Sequence, residues 1–327
     1  MIYSFLPNQR GVYCLYFCYY LLASEDRTAR MSSLNCTHVT PQCPVEATTY
    51  GYYPNLPGNI VLCVVFGVCM VLQAGLSLRG RTWTWLIGLL TGCGLEFAGY
   101  IGRILMHSNP WNDSAFRLQI VALILGPSFI AGGIDLTLKH LVIHFGPQYS
   151  LLKPALYTWV FIGLDAFSIL MQAAGGGIAA AANHDNASLL STGNDLILAG
   201  IALQVAQLVA FGVVSLYYAF NVYRHRKAAS LGTRDAPTPA KLEYFISMVA
   251  VAYVFILIRC IYRIPEMSGG WGSALQRDEP LFLGLDGAAV AISAIALTFA
   301  HPAVFFPVMG NGRKPAAVPP SVHITEK

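Results

Sequence analysis

Charged residues are scarce in this sequence. They make up 11% of its 327 residues, whereas roughly a quarter of an ordinary soluble domain is charged. Hydrophobic residues account for 55%. A chain with so little charge and so many apolar residues is expected to fold in a bilayer rather than in water. The composition therefore predicts an integral membrane protein.

The sequence also lacks the signatures of several catalytic and cofactor-binding classes. No G-x-x-x-x-G-K-[ST] stretch is present, which excludes ATP hydrolysis by a P-loop in this chain. The eight histidines are scattered without metal-ligand spacing, and no nucleophile stands near a base. The last apolar run has no lysine, which excludes a retinal Schiff base. We therefore expect no catalytic residues, no cofactor, no metal and no nucleic-acid partner.

The dominant feature is a set of seven apolar runs, each of about 20 residues or more and so long enough to cross a bilayer as a helix. They cover approximately 59–78, 83–106, 116–138, 157–182, 195–222, 241–262 and 281–306. The connections between them are too short to fold as separate domains. The sequence predicts an all-α polytopic membrane protein, a seven-transmembrane helix bundle over residues 59–306.

Basic residues indicate how this bundle lies in the membrane. Lysine and arginine collect after the first, third and fifth runs and in the C-terminal segment: Arg79, Arg81, Lys139, Lys153, Arg224, Arg226, Lys227, Arg234, Lys241, Arg313, Lys314 and Lys327. The positive-inside rule assigns these residues to the cytoplasm. Residues 1–58 then form an external N-terminal tail, and residues 307–327 a cytoplasmic tail. Three glycosylation sequons, at Asn35, Asn112 and Asn186, fall on the predicted external side.

The N-terminal tail leaves two questions open. Residues 11–23 are apolar but too short to span a bilayer comfortably. Residues 1–30 therefore fit either a signal sequence or an extension of the gene model, with translation starting at Met31. Cys36 and Cys43 lie where oxidation occurs, and they fit either a disulfide or two free thiols.

Polar residues occur inside the runs at helical spacing. Glu96, Tyr100 and Arg103 are spaced i, i+4, i+7 and so share one face of the second helix. Further polar positions in the fourth, sixth and seventh runs are Asp165, Gln172, Arg259, Arg263, Glu266 and Asp286. A charge in mid-bilayer costs about 2.5–3.5 kcal/mol. We therefore expect a polar cluster inside the bundle, open toward the outer leaflet, with the acids of the second and seventh runs near the arginines of the second and sixth.

Other interpretations of these residues stay open. Arg103 and Arg259 lie close enough to the interface to snorkel into the headgroups, whereas Glu96 is too deep for that. Spacing does not decide whether an ion pair is a structural lock or part of a substrate path. Asp135, near the inner end of the third run, is interpreted as an interfacial residue.

Prolines and glycines in the runs predict local features. Pro127 predicts a kink or a freed carbonyl in the third helix, and Pro265 predicts a disruption of the sixth. The His301-Pro302 pair marks the end of the seventh helix. Glycines in the second, third and fourth runs predict close contacts between helices.

Several motifs together resemble one protein family. They are EFAGYIGR in the second run, DAFSILMQAAGGG in the fourth, GIALQ in the fifth, IRCIYRIPEMSGGWGSALQRDEPLFLGLD from the sixth into the seventh, and a later HP. In order and spacing they are similar to the fungal RTA-like proteins, also called the lipid-translocating exporter family. The resemblance runs from about residue 50 to residue 302. It implies a seven-helix protein of the plasma membrane with an external N-terminus.

The resemblance also implies a function and a set of positions. Members of the family are linked to tolerance of toxic amphiphiles, to release or flipping of sphingoid long-chain bases, and to porphyrin handling. By motif, the corresponding positions are Glu96, Tyr100, Arg103, Asp165, Gln172, Gln204, Arg259, Tyr262, Arg263, Glu266, Glu279, Asp286 and His301.

This chain departs from the family pattern in the third and seventh runs. Gly126 stands where the family usually has an alanine before the proline. Asp135 and His140 stand in place of a tyrosine and an arginine, and Leu283 in place of an aromatic residue. If these positions shape the substrate path, the ligand differs from that of better-known members.

Two classes of function follow from the sequence. The first is a transporter or translocase that moves or exports lipids or toxic amphiphiles, such as sphingoid bases or sterol-like compounds, and confers drug resistance. The alternative is a seven-helix sensor or receptor-like regulator of lipid or drug stress. The third run ends IDLTLKHL, without the acid-Arg-aromatic triplet of G-protein-coupled receptors, which favours the translocase. The expected partner is a membrane lipid or an amphiphilic small molecule.

Overall fold

The computed structural model describes residues 36–151, 154–181, 187–229, 240–270 and 272–306, and residue 309. Within these residues, seven helices are long and apolar enough to cross a membrane. We number them α1 to α7: Leu56–Gly80, Trp83–Ser108, Asp113–Phe145, Trp159–Ala179, Ala187–Ala229, Ala240–Ser268 and Glu279–Phe305. The described residues contain no β-strand, only an isolated bridge between Thr40 and Cys43. The prediction of an all-helical, multi-pass membrane protein with seven spanning helices is confirmed.

Polar residues just before the apolar runs set where three helices begin. Asn55, Asn112 and Asp278 each accept a hydrogen bond from the backbone N–H three residues on, at 2.8, 3.1 and 3.2 Å. Such N-caps satisfy donors that the first turn leaves unpaired. They start α1, α3 and α7.

The helices pack as a closed bundle. Neighbours in sequence are neighbours in space from α1 to α7, and α7 packs against α1. α3 also contacts α5 and α6, so it lies at the centre of the bundle. Inward-facing side chains of α2, α4, α5 and α6 can therefore reach α3, while those of α6 and α7 can also meet directly.

Glycine allows close approach at some of the predicted positions. A Cβ on Gly102 would lie 2.9 Å from the carbonyl oxygen of Ala115, so α2 packs tightly against α3 there. A Cβ on Gly175 would lie 2.7 Å from the carbonyl oxygen of Gly193, between α4 and α5. At Gly132 the same position has open space around it among the described residues. Close helix contacts therefore form at particular glycines rather than at every one.

The prediction that Pro265 disrupts the sixth helix is wrong. α6 continues through Pro265 to Ser268, whose hydroxyl donates to the Pro265 carbonyl oxygen at 3.0 Å. Proline is tolerated in spanning helices because side chains and neighbouring helices satisfy the freed backbone groups. The helical face that carries the arginines of α6 therefore extends unbroken to the end of the helix.

Two helices contain a wider, π-helical turn. These segments are Thr158–Ile162, at the start of α4, and Phe282–Ala288, in α7. π-helical turns inside α-helices occur often at functional sites. The second segment contains Asp286 and so sets the direction in which its carboxylate points.

The residues before α1 fold over one end of the bundle, which we call the tail end. Cys36 and Cys43 form a disulfide, with Cα atoms 5.9 Å apart. The indole N–H of Trp111, between α2 and α3, donates to the Cys43 carbonyl oxygen at 3.3 Å. The tail segment, residues 36–55, is thereby attached to the helices.

Asn112 is half-buried at the tail end, where it caps α3. Several predicted features lie outside the described residues: the segment 1–30, Met31, Asn35, Asn186 and, except for Met309, the C-terminal segment 307–327.

Candidate functional site

Arg103 is the centre of a group of polar side chains at the tail end. Its Nε donates to Asn59 Oδ1 at 2.9 Å, and its Nη2 donates to Glu279 Oε1 at 2.9 Å. Gln119 accepts a longer bond, at 3.4 Å. We call Asn59, Arg103, Gln119 and Glu279 the tail-end cluster. Because Arg103 is fully buried, it does not snorkel.

The expected proximity of Glu96 to Arg103 is not found. Arg103 pairs with Glu279 of α7 instead. Residues seven apart share a helix face, but they lie about 10 Å apart along the axis. The partner of Arg103 therefore comes from a facing helix at its own depth.

Aromatic side chains seal the tail-end cluster. The Phe282 ring centroid lies 4.1 Å from Arg103 Cζ, and that of Tyr50 lies at 5.5 Å. The Tyr50 hydroxyl is hydrogen-bonded to Gln119, and the Tyr52 hydroxyl accepts from Arg103 at 3.4 Å. Burial raises the pKa of Tyr50 to about 12, against the opposing charge of Arg103, and also raises the pKa of Tyr52. Both phenols are therefore neutral and closely packed at neutral pH.

A second group of charges lies deeper. Asp286 accepts from Arg259 Nε at 2.8 Å and from Arg263 Nε at 3.0 Å, both through Oδ1. Arg263 also forms an ion pair with Glu266 at 3.1 Å. We call these four residues the central network. The expected proximity of Arg259 to Asp286 is found, and the buried Arg259 does not snorkel.

Pro127 gives Arg259 a second acceptor. Proline has no N–H, so the carbonyl of Leu123, four residues earlier, receives no helical bond from it. Arg259 Nη2 donates to this carbonyl oxygen at 2.5 Å. The freed carbonyl that the sequence predicted is thus used by a side chain that links α6 to both α3 and α7.

Glu96 stands apart from these pairs. Its side chain is at the middle of α2, 1% exposed, and neither carboxyl oxygen has a hydrogen-bond partner among the described residues. It packs against α3, since a Cβ on Gly126 would lie 2.7 Å from Glu96 Oε1. The hydroxyl of Tyr100, one turn away, is also buried and has no partner in the described chain. An unpaired carboxylate at this depth is costly, so Glu96 either holds a proton or needs a cation.

Counting the acids and bases of the two groups also sets Glu96 apart. The tail-end cluster and the central network together hold three arginines and three carboxylates, and every one of these carboxylates faces an arginine. The guanidinium groups of Arg259 and Arg263 are already engaged by Asp286. Within these two groups acids and bases are equal in number, and Glu96 is one acid more.

Asp165 and Gln172 do not join the central network. Gln172 Nε2 donates to Ser168 at 2.8 Å and to Gln204 at 3.1 Å, and Gln204 donates to Ser128 at 2.8 Å. These bonds connect α4 and α5 to α3. The single cluster that the sequence predicted is therefore divided into separate groups.

The interpretation of Asp135 as an interfacial residue is wrong. Asp135 is 3% exposed, accepts from Gln207 Nε2 at 2.7 Å, and lies near Asp165, which is also 3% exposed. Asp135 lies in the interior because α3 is central, so even a position near its inner end is covered by α4 and α5.

His301 has a structural role. Ala303 N–H donates to its Nδ1 at 3.1 Å, so the Nε2 carries the proton and faces Ser77 Oγ at 2.9 Å. α7 is interrupted after Phe299, and His301 caps its short last segment, Pro302–Phe305, as expected for a helix stop. Within the described chain, no group of three or more histidine, cysteine or acidic residues could hold a metal.

A comparison with protein-family models shows to which family the chain belongs. The family model described as RTA1 like protein matches residues 89–309. This chain belongs to the RTA1-like family. The matched range contains both arginines of the central network and also Glu96 and Asp286.

Three relatives of this RTA1-like chain are named proteins. The sphingoid long-chain base transporter RSB1 of Saccharomyces cerevisiae is 31% identical over 297 residues, covering 81% of this chain and 77% of the relative. Protoporphyrin uptake protein 1 of the same species is 30% identical over 213 residues, covering 65% and 67%. The lipid-translocating exporter-like protein RTA1 of Leptosphaeria maculans is 26% identical over 326 residues, covering 90% and 59%. No solved structure matches the chain.

The positions at which this chain departs from the RTA1-like pattern differ in what surrounds them. Gly126 packs against Glu96, and Leu283 lies at the first turns of α7 beside α1. Asp135 is buried near Asp165, whereas His140 only bonds the Leu136 carbonyl of its own helix at 2.8 Å.

Sequence reasoning missed the neutral partners of the charges. Asn59 and Gln119 bind Arg103, while Ser128 and Gln207 complete the contacts among α3, α4 and α5. Uncharged amides and hydroxyls cost less to bury than charges, so their presence in an apolar run is a weaker signal. Asn59 lies four residues after the cap Asn55, and its amide donates to the Asn55 carbonyl oxygen at 2.6 Å.

Proposed function

We propose that this protein is a membrane translocase that moves a lipid or a toxic amphiphile across the bilayer. The observation that carries this proposal is the unpaired Glu96, held in the interior of a seven-helix bundle whose other charges at this site are paired. Buried ionisable residues inside a spanning bundle are expensive and usually functional. Beside the central network, Glu96 is a buried carboxyl group that can bind a polar head without first breaking an ion pair.

The relatives support a transport role. Two of them are named as a sphingoid long-chain base transporter and a lipid-translocating exporter-like protein. Sphingoid bases have an amine, which is protonated at neutral pH, and an ammonium group matches an unpaired carboxylate in charge. We infer that the transported class includes cationic single-chain amphiphiles, alongside the sterol-like compounds that the family resemblance implies.

In this proposal the charged residues have different tasks. The central network holds α3, α6 and α7 together, because Arg259 and Arg263 both bind Asp286. Glu96 receives the head group and releases a proton, so that the interior gains no net charge. Movement would then follow the gradient of the substrate or be coupled to protons, without an ATP motor in this chain.

The remaining sequence predictions are part of the same proposal. We place the tail end, with residues 1–58, outside the cell and the segment 307–327 in the cytoplasm, because of the basic residues in the connections. We further propose residence in the plasma membrane, glycosylation at the external sequons, and a role in drug resistance. No enzymatic activity is assigned to the chain.

Reconstitution tests the proposed function. Purified protein in liposomes would be assayed for transbilayer movement of a labelled long-chain base, in wild type and in Glu96→Gln. Glu243→Gln is the matched control, because Glu243 is exposed at the start of α6. We expect wild type and Glu243→Gln to move the base faster than protein-free vesicles. Glu96→Gln should lose most of the activity while keeping its melting temperature, because it breaks no ion pair.

Two results would contradict the proposal. Full activity in Glu96→Gln would remove Glu96 from the path. No movement of any member of a panel of long-chain bases, sterols and porphyrins by the folded protein would reject autonomous transport and favour the sensor hypothesis.

A further inference from the structure

An apolar crevice opens between α1 and α7 near the tail end. Its lining residues are Pro57, Gly58, Val61, Leu62 and Leu283, and its volume is about 350 Å³. Ligand pockets generally measure about 300–1,000 Å³. Val61 is 61% exposed, so the crevice opens on the flank of the bundle rather than into its interior. A hydrocarbon chain can occupy such a site without leaving an apolar environment.

The inner wall of the crevice is thin. Leu62 Cδ1 and the Tyr100 hydroxyl both lie 2.7 Å from the position that a Cβ on Gly287 would occupy. The Leu62 side chain, which lines the crevice, therefore lies close to the unpaired hydroxyl next to Glu96, on the same side of Gly287. Gly287 belongs to the π-helical segment of α7, which also supplies Leu283 to the crevice.

The two sides of this wall are complementary to the two ends of an amphiphile. The crevice offers only apolar side chains, and the far side offers the partnerless Tyr100 hydroxyl and the unpaired carboxyl group of Glu96. A cationic head group can take the place of the Glu96 proton and pair with the carboxylate, whereas an anionic head group would be repelled by it. A second protein or a second copy of this chain would gain nothing from the buried carboxyl group.

We propose that the α1–α7 crevice is the binding site for the alkyl chain of a single-chain cationic amphiphile, whose head group reaches Tyr100 and Glu96. This inference rests on the proposed function and adds a site and a direction: the ligand comes from the side of the bundle, between α1 and α7. Leu283 and Val61 then determine how much chain volume the site accepts.

Filling the crevice tests the site directly. Leu283→Trp and Val61→Trp each place a large ring in the crevice. Leu285→Trp and Val64→Trp are matched controls on the same two helices, because both residues are exposed and neither lines the crevice. Each variant would be reconstituted in phosphatidylcholine liposomes after its melting temperature is compared with that of wild type.

Two readouts separate binding from movement. A long-chain primary amine with a photoreactive diazirine in its chain would be crosslinked to the protein and mapped by mass spectrometry. The transbilayer rate of the same amine would be measured in parallel. We expect adducts at residues 57–62 and at Leu283 in wild type. The crevice variants should lose these adducts and slow transport about tenfold, which corresponds to about 1.4 kcal/mol, because the ring occupies the space that the alkyl chain needs, while the controls match wild type.

The outcomes distinguish this inference from the proposed function. Normal transport with adducts elsewhere, or with both crevice variants fully active, overturns the crevice and leaves the translocase in place. Adducts in the crevice without transport by wild type support the binding site and reject the translocase. Equal labelling by a long-chain carboxylate of the same length would overturn the assignment of a cationic head group.

Discussion

At the scale of single residues, the interior charges differ in whether a counter-ion faces them. Asp286 faces two arginines and Arg103 faces Glu279, whereas Glu96 faces no free cation among the described residues. Removing one partner of a buried pair leaves the other charge uncompensated. Replacing the carboxylate by an amide should therefore lower the melting temperature at Asp286 and leave it unchanged at Glu96.

We expect Asp286→Asn to destabilise the protein strongly. Arg259 and Arg263 would lose their shared carboxylate, and breaking a buried pair costs roughly 3–5 kcal/mol. Thermal unfolding in detergent would measure the loss. Asp113→Asn is the control, since Asp113 pairs with Arg117 at an exposed site, 3.7 Å apart, and its melting temperature should equal that of wild type. A wild-type melting temperature for Asp286→Asn would contradict the central network.

At the scale of elements, close packing of α2 on α3 holds the polar groups in register. Glu96 and Arg103 are on α2, and the atoms they meet on α3 belong to Gly126 and Gln119. A small increase in the distance between these two helices would separate both contacts. The glycines of α2 therefore matter for the site as well as for stability.

We expect Gly102→Ala to cost about 1–3 kcal/mol of unfolding free energy, as overpacking does. The added methyl group would meet backbone atoms of Ala115 and Gln119, at 2.9 and 3.1 Å, which cannot rotate away. Gly132→Ala, in α3, is the matched control, because its methyl group would enter open space. Chemical or thermal unfolding would compare them. Equal stability of the two variants would show that α2 and α3 can separate freely.

The tail segment gives an element-scale prediction of pH dependence. Because burial raises the pKa of Tyr50 from 10.0 to about 12, the folded tail binds the phenol proton more tightly than the unfolded tail does. The contribution of the buried Tyr50 phenol to the free energy of unfolding is complete below pH 10 and is lost as the pH rises through about 12. The difference in phenolate absorbance between wild type and Tyr50→Phe should therefore rise only as the pH approaches about 12. A difference curve centred at the ordinary value would mean that the tail is not packed on Arg103. The exposed Tyr53→Phe serves as the spectroscopic control.

At the scale of the whole molecule, the charge pattern predicts the orientation of the bundle. An epitope at the C-terminus should react with antibody only after cells are permeabilised, because basic connections stay in the cytoplasm. An epitope inserted near His38, in the tail segment, should react on intact cells. The reverse pattern would invert the bundle and would place the tail-end cluster on the cytoplasmic side. Tagged proteins with wild-type melting temperatures provide the control for folding.

The seven helices and the identity of most buried charges were readable from the sequence. A spanning helix is a local property, because about 20 consecutive apolar residues suffice to predict it. A charge inside such a run is equally visible, and helical spacing put Glu96, Tyr100 and Arg103 on one face, which is buried. Local patterns also predicted the freed carbonyl before Pro127, since the missing N–H belongs to proline itself.

Only the tertiary structure decided which of these residues meet. Pairing depends on the depth and rotation of facing helices, and on the π-helical turn that directs Asp286, none of which is encoded in the spacing of one run. For this reason Arg103 pairs with Glu279, Asp135 is buried beside Asp165, and Glu96 has no partner in the described chain. The sequence by itself determined which segments are long and apolar enough to span the membrane. The packing around α3 decided which buried charges pair, and it leaves Glu96 without a partner among the described residues.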